Sequence, residues 1–150
     1  MYTIVKKRVL NESVTWMEVE APLIARKVRA GQFIILRVNE TGERIPLTVA
    51  DHDEQKGTIT IIFQKVGKTT LLLDTLEEGD AILDVVGPLG KATEIEGYKK
   101  VAVIGGGVGT AIAYPQAKAL HAAGLEVDMI AGFRSKEIVI LEEEMKAVTD

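Results

Sequence analysis

Hydrophobic and polar residues alternate through most of residues 1–96, which is the spacing of β-strands that bury one face. Turns that contain glycine or asparagine separate the alternating runs, and Pro46 within one run indicates a strand edge or a bulge. Short strands joined by tight turns are typical of a barrel or a sandwich. The runs predict strands over residues 2–10, 13–19, 32–38, 44–50, 58–66 and 81–86, a polar loop over 51–57 and a further loop over 87–90.

Between residues 68 and 78 the apolar spacing changes to that of a helix. Leu71, Leu72 and Leu76 supply its apolar positions, and Gly79 follows as a stop signal. We therefore predict one short helix inside the strand-rich half of the chain.

Beyond Gly97 the pattern becomes β-α-β-α. Residues 101–104 form a short apolar run, as in a parallel strand buried on both faces, and residues 126–131 are a second such strand. Helices are predicted over 110–123 and 137–148 from their apolar spacing. Parallel strands joined by crossover helices make an open α/β sheet.

The two patterns together predict an antiparallel β-barrel over residues 1–96, followed by a partial Rossmann-like α/β domain over residues 97–150. Two parallel strands and two helices make less than a complete doubly wound sheet. Either the chain is a fragment, which we favour, or a partner completes the sheet.

Composition narrows the classes of function. The net charge is −4 and there is no extended basic stretch, which argues against nucleic-acid binding. No apolar run approaches the roughly 18 residues of a membrane helix, and the N-terminus lacks the layout of a signal peptide. We therefore expect a cytoplasmic protein without membrane insertion. The chain has no cysteine, and neither metal-ligand spacing nor a Ser/His/Asp set, so we expect no metal site and no hydrolase chemistry.

The glycine run Gly105-Gly106-Gly107-Val108-Gly109 follows a predicted buried strand, and Thr110 opens the next helix. Glycines in this context let a pyrophosphate reach the backbone, where free N–H groups and the positive helix end attract it. The run indicates a dinucleotide site, with a plain strand-to-helix turn as the alternative.

Three further stretches could contact a nucleotide, and each also has a simpler structural explanation. Gly67-Lys68-Thr69-Thr70 repeats the glycine-to-helix device, with a helix cap as the alternative. Arg44-Ile45-Pro46-Leu47-Thr48 offers a guanidinium suited to phosphate, with a solvated surface arginine as the alternative. Arg134 and Ser135 follow the second parallel strand, where they could meet an adenosine ribose or a 2′-phosphate, unless Ser135 is simply an N-cap.

Taken in order, four motifs resemble the ferredoxin–NADP⁺ reductase superfamily: Arg-x-Pro-Leu-Thr, Val-Gly-Lys-x-Thr, Gly-Pro-Leu-Gly and Gly-Gly-Gly-Val-Gly-Thr-Ala. The most similar branch comprises small electron-transfer subunits, namely the α subunit of NADH-dependent ferredoxin–NADP⁺ oxidoreductase or sulfide dehydrogenase and the dihydroorotate dehydrogenase electron-transfer subunit. The resemblance runs from residue 1 to about residue 145.

The resemblance implies an FAD-binding barrel and an NAD(P)-binding domain, with flavin and nicotinamide stacked between them. Hydride then passes between the two rings, and no acid–base residue is required. By the same resemblance, the flavin and its ribityl-phosphate chain would contact Arg44, Pro46, Leu47, Thr48, Ile62 and Phe63, and the FAD pyrophosphate would contact Gly67, Thr69 and Thr70. The nicotinamide dinucleotide would contact Gly105, Gly106, Gly107, Val108, Gly109 and Thr110, with Arg134 at its adenosine end.

The sequence departs from the superfamily in three respects. Arg44 stands one position earlier than the usual arginine, where this chain has Ile45, and Ile112 replaces a common proline, with Pro115 further on. The C-terminal cysteines that hold a [2Fe–2S] centre in these subunits are absent.

The resemblance implies a larger iron–sulfur and flavin subunit, or a ferredoxin-like protein, as the electron-transfer partner. A redox-sensing or subunit-docking module that binds a nucleotide without turnover is the alternative function. The choice between NADH and NADPH stays open.

Overall fold

Seven antiparallel strands form a barrel at the start of the chain. The computed structural model describes residues 1–150. The elements are β1 Tyr2–Val9, β2 Val14–Glu20, α1 Pro22–Ala25, β3 Phe33–Arg37, β4 Arg44–Asp53, β5 Thr58–Gln64, α2 Lys68–Asp74, β6 Ala81–Ile82 and β7 Asp84–Leu89. The spatial order of the strands is β6-β1-β2-β5-β4-β3-β7. Only Leu83 separates β6 from β7, so one bent segment pairs with β1 at its start and with β3 at its end, which closes the barrel.

The barrel core follows from the alternation along its strands. On β5, Ile59, Ile61 and Phe63 point into a core cluster of 17 buried residues. Ile62 points the other way, into a second cluster that the barrel shares with the C-terminal third of the chain. Central strand β5 is therefore buried on both faces. The pairing of the seven strands confirms the predicted antiparallel barrel.

A two-stranded parallel sheet and its helices follow the barrel. The elements are β8 Lys100–Gly106, a 3₁₀ turn Gly107–Gly109, α3 Thr110–Ala122, β9 Glu126–Gly132, a 3₁₀ turn Lys136–Ile138 and α4 Glu142–Ala147. Val101 pairs with Val127 and Ile104 with Ile130 in this parallel register. The barrel followed by a small α/β unit matches the predicted fold class.

The prediction that β8 and β9 are buried on both faces is wrong for this chain. Helix α3 covers one face, where Val101, Val103 and Val127 pack with Ala117 and Leu120. On the other face Ile104 is 71 % exposed and Ile130 is 57 % exposed, because no element of these 150 residues lies over them.

The helix predicted over 137–148 is also wrong in extent. The chain forms a 3₁₀ turn, an extended stretch at Val139, and then only the short α4. Leu141 adopts φ 61° before α4 begins. This interruption lets Ile140 and Leu141 pack into the cluster shared with the barrel, so tertiary burial outweighs the helical spacing of the sequence.

Three smaller boundaries differ from prediction. Strand β4 continues to Asp53, which pairs with Thr58, so the loop predicted over 51–57 is shorter. Strand β7 continues to Leu89, which pairs with Phe33, where a loop was predicted. Helix α2 ends at Asp74, earlier than predicted, and the Lys7 ammonium donates to the carbonyl oxygens of Asp74 and Leu76 at its C-terminal end. No helix is long and apolar enough to cross a membrane.

Candidate functional site

A cleft opens where strands β4 and β5 separate. The first half of β4, Arg44–Thr48, pairs with β3, and β4 pairs with β5 only from Val49 onward. Ala50 is the extra residue of a bulge at this point, and a bulge bends its strand. Residues Ile62–Gln64 of β5 therefore pair with β2 alone, and the facing edges of the two strands diverge.

Both halves of the chain line this first cleft, and none of its side chains is titratable. The barrel contributes three β4 residues that the sequence singled out, and the C-terminal third contributes residues of the glycine turn and the first turn of α3. The lining residues are Pro46, Leu47, Thr48, Ile62, Phe63, Gln64, Val66, Thr70, Val108, Ala111 and Ile112. The cleft is thus a neutral and mostly apolar space between the two units.

The side chains of two predicted cleft residues face the barrel core. Phe63 is 2 % exposed and belongs to the barrel core, and Leu47 is half-buried against the same core. Phe63, which was predicted to approach a flavin, lines the cleft while its side chain belongs to the barrel core. Pro46 alternates with Leu47 and is exposed, so it faces outward.

Arg44 lies on the outward side of β4, two residues before Pro46. Its guanidinium Nη1 is 3.3 Å from Asp84 Oδ2, an oxygen that Arg37 also binds at 2.7 Å. The hydrogen bond from Arg37, together with the charges of both arginines, holds the pKa of Asp84 below its ordinary value. The first cleft is lined by the predicted β4 residues Pro46, Leu47 and Thr48, whereas Arg44 lies outside it.

The turn before α2 is capped from inside the helix. Thr70 Oγ1 accepts hydrogen bonds from the backbone N–H groups of Val66 and Gly67, both at 3.0 Å. Thr69 is buried. A side chain added at Gly67 would meet no atom within 4 Å, so the turn is open on one side. The capping alternative is therefore correct for Thr70, while the space at Gly67 stays available to a ligand.

The glycines of the turn before α3 divide into two kinds. A Cβ at Gly105 would lie 2.9 Å from Thr110 Cα, so Gly105 permits the close packing of β8 against α3. A Cβ at Gly106, Gly107 or Gly109 would meet nothing within 4 Å, and Gly107 has φ +54°. Thr110 is fully buried, and its hydroxyl oxygen has no hydrogen-bond partner.

A second cleft lies between the carboxyl ends of β8 and β9 and the barrel. Arg134, exposed at its rim, is brought close to the glycine turn, and Ser135 precedes only a 3₁₀ turn and makes no side-chain cap. The lining residues are Asn11, Ser13, Val14, Gln64, Gly107, Val108, Gly132, Phe133, Arg134, Ile138 and Ile140. Sequence reasoning missed Asn11, Ser13 and Gln64, because only the packing of the two units places them opposite the glycine turn.

Gln64 and Val108 line both clefts, so the two spaces meet there. Gln64 is the last residue of β5, and Val108 is the middle residue of the glycine turn. A ligand in one cleft would therefore border a ligand in the other.

Comparison with known proteins agrees with this geometry. Residues 1–93 match the family of oxidoreductase FAD-binding domains. The chain belongs to this family. The resemblance stated from the motifs is thereby confirmed at the level of an FAD-binding oxidoreductase domain.

Curated relatives of this FAD-binding domain extend beyond it. A Clostridium beijerinckii protein known as an uncharacterized protein in the adh 3′ region is 48 % identical over 97 % of the chain and 51 % of its own length. A Thermotoga maritima homolog of the dihydroorotate dehydrogenase B (NAD⁺) electron transfer subunit is 46 % identical over 98 % of the chain and 52 % of its own length. The chain spans about half the length of these relatives.

Solved structures share the whole architecture of the chain. The structure of an NADH-dependent reduced ferredoxin-NADP oxidoreductase aligns with TM-score 0.94 and 45 % identity. The alignment covers 100 % of this chain and 54 % of the oxidoreductase chain. Phthalate dioxygenase reductase aligns with TM-score 0.82 over 99 % of this chain and 50 % of its own. At 20 % identity the second likeness concerns the fold alone.

Proposed function

We propose that this chain is the flavin- and nicotinamide-binding part of an electron-transfer subunit, which passes electrons between NAD(P)H, FAD and an iron–sulfur partner. The observation that carries the proposal is the junction of the two clefts at Gln64 and Val108. Hydride transfer needs two rings held in contact at about 3–3.5 Å between reacting atoms. Two adjacent clefts that share Gln64 and Val108, one on the barrel and one at a glycine turn, suit that requirement.

The first cleft suits the flavin of FAD. Pro46, Thr48 and Ile62 offer an apolar and hydroxyl-bearing wall, and the diverging edges of β4 and β5 can offer backbone donors and acceptors to a planar heterocycle. The open side of Gly67 and the buried Thr69 lie on the adjoining turn, where the pyrophosphate would run. Arg44 would approach the phosphates from the outward side of β4.

The second cleft suits the nicotinamide dinucleotide. The open positions at Gly106, Gly107 and Gly109 let a pyrophosphate approach the backbone at the start of α3. The unpartnered hydroxyl of Thr110 is a further polar group at this turn. Arg134, at the carboxyl end of β9, would meet the adenosine end. These residues keep the roles that the resemblance implies for them.

The lining of the first cleft matches hydride transfer better than acid–base chemistry. FAD, when bound, supplies a two-electron acceptor that can pass electrons on singly. The residues of the chain hold the rings, and none of the cleft side chains is a candidate proton donor or base. Val66, Val108 and Ile112 add apolar side chains to the lining of the first cleft.

An iron–sulfur centre would belong to a partner or to residues beyond those of this chain. The chain has no cysteine, and no group of three His, Cys, Asp or Glu side chains could hold a metal ion. The Thermotoga maritima relative is described as an electron transfer subunit homolog, and the aligned oxidoreductase acts with ferredoxin. We therefore propose a larger iron–sulfur and flavin subunit, or a ferredoxin-like protein, as the partner.

The test is an anaerobic visible spectrum of the protein with FAD, followed by NADH and, separately, NADPH. Flavin bands that shift on binding and then bleach with either nucleotide support the proposal, and the relative rates identify the preferred nucleotide. Bands that form and do not bleach favour the alternative, a nucleotide-binding module without turnover. Absence of flavin uptake would contradict the assignment of the first cleft.

A further inference from the structure

An ion pair joins the barrel to α3 at some distance from both clefts. Lys118 Nζ lies 2.8 Å from Asp51 Oδ1 and 2.9 Å from Asp51 Oδ2, so it binds both carboxylate oxygens. Asp51 Oδ1 also accepts the backbone N–H of His52 at 2.8 Å, which fixes the carboxylate on its own strand. The Lys118 ammonium is 6.0 Å from the centre of the Tyr114 ring.

The two elements that this ion pair joins, β4 and α3, both contribute residues to the first cleft. Strand β4 carries Thr48 in the cleft and Asp51 about 10 Å further along, at about 3.3 Å per residue. Helix α3 starts at Thr110 beside the glycine turn and carries Lys118 about 12 Å further along, at about 1.5 Å per residue. The Ala50 bulge lies on β4 between Thr48 and Asp51.

The contribution of this ion pair to stability is small. Both side chains are partly exposed, and exposed pairs contribute about 0–1 kcal/mol. Other contacts hold the two units together without it: a cluster of nine buried apolar residues, the Arg8–Glu144 ion pair at 3.2 Å, and the hydrogen bond from Asn11 to the Ile138 carbonyl. Those polar contacts involve the β1–β2 hairpin and the region of α4, and none of them involves the middle of α3.

We propose that Asp51 is a positioning residue, which through Lys118 fixes α3 and the glycine turn at hydride-transfer distance from the flavin wall of β4. The inference rests on the proposed function of the two clefts. Without the pair, α3 remains attached through Ala111 and Tyr114 in the shared apolar cluster, and we expect a small displacement of the helix along the barrel. Displacements of about 1 Å can slow a reaction between bound rings by up to about a hundredfold.

The test is single-turnover reduction of the FAD-loaded protein by saturating NADH or NADPH, whichever is faster, in stopped flow. Asp51→Asn removes the charge and keeps the shape, and we expect the rate constant for reduction to fall at least about tenfold. The FAD dissociation constant and the thermal midpoint should change little. The long-wavelength charge-transfer absorbance between nicotinamide and flavin should weaken in parallel, which a merely structural role would not produce.

Two further variants decide between positioning and general damage. Glu144→Gln removes the other ion pair between the units, and it should reduce at the unsubstituted rate. Lys118→Met should match Asp51→Asn, and the double variant should be no slower than either, because both changes remove one interaction. An unchanged reduction rate in Asp51→Asn overturns the inference. A loss of FAD affinity in Asp51→Asn that is as large as the loss of reduction rate also overturns it. Failure of the unsubstituted protein to be reduced by either nucleotide overturns the proposed function itself.

Discussion

The guanidinium of Arg44 lies 3.3 Å from the carboxylate of Asp84, across strand β3 of the barrel. Asp84 also binds Arg37 at 2.7 Å, so one carboxylate holds two arginines on neighbouring strands. Arg44 is about half exposed and its partner is shared, which leaves much of its donor capacity free. An arginine held in this way is pre-oriented on the barrel surface.

Replacing Arg44 separates the phosphate role from a structural one. We expect Arg44→Ala to raise the FAD dissociation constant at least about tenfold, because a charge-assisted hydrogen bond contributes about 1.5–3 kcal/mol. Riboflavin, which lacks phosphates, should bind as before. Titration of both ligands by flavin fluorescence measures the difference. Arg37→Ala is the matched control, since it removes the other cation at Asp84 and should leave both affinities unchanged. Equal losses for FAD and riboflavin would show that Arg44 merely supports the barrel.

Gly107 provides the corresponding test of the second cleft. We expect Gly107→Val to abolish nicotinamide-dependent flavin reduction and to leave the FAD dissociation constant unchanged. Valine is strained at φ +54° and would fill the open side of the turn. Gly97 has φ +87° and equally open surroundings, and it lies outside both clefts. Gly97→Val therefore carries similar strain, and it should keep nicotinamide-dependent reduction. Loss of FAD binding in Gly107→Val would argue against two separate sites.

The sequence predicts those features that depend on neighbours along the chain. Ile59, Ile61 and Phe63 alternate with residues of the opposite face, and all three lie in the barrel core as expected. The glycine turn is equally local, because strand, turn and helix follow one another without a break.

Features that depend on distant contacts could not be predicted in the same way. The helix expected over 137–148 is interrupted because Ile140 and Leu141 pack against the barrel, which no local spacing indicates. Gln64 belongs to both clefts only because β5 ends beside the glycine turn. The orientation of the Arg44 guanidinium likewise depends on Asp84, forty residues later, rather than on its own motif.

Gly105 and Gly106 are adjacent, and they should respond differently to alanine. A Cβ at Gly105 would lie 2.9 Å from Thr110 Cα and 3.2 Å from Ala113 Cβ, so α3 would have to move away from β8. We expect Gly105→Ala to lower the free energy of unfolding by about 1–3 kcal/mol, the usual penalty for overpacking. Gly106→Ala meets no atom within 4 Å at an extended backbone, and it should be nearly neutral. Urea denaturation compares the two variants, and equal midpoints would contradict the close packing at Gly105.

Tyr114 makes the stability of the contact between the barrel and α3 depend on pH. Burial, and then the negative charge of Asp51, raise the pKa of its phenol from 10.0 to about 12. In the unfolded chain the phenol ionises near its ordinary pKa, whereas in the folded protein it keeps its proton to higher pH. The folded state therefore binds more protons between these two values, and the free energy of unfolding falls as pH rises through this interval. Below pH 10 the contribution is fully present.

Tyr114→Phe removes this titration and keeps the ring in the apolar cluster. We expect the urea midpoint of the unsubstituted protein to fall more steeply between pH 10 and about 12 than that of Tyr114→Phe. Tyr98→Phe changes an exposed tyrosine, so it should retain the steep fall and serves as the control. Comparing the slopes cancels the titration of the lysines, which all three proteins share. Parallel slopes for Tyr114→Phe and the unsubstituted protein would mean that the phenol is not held neutral by the contact between α3 and β4.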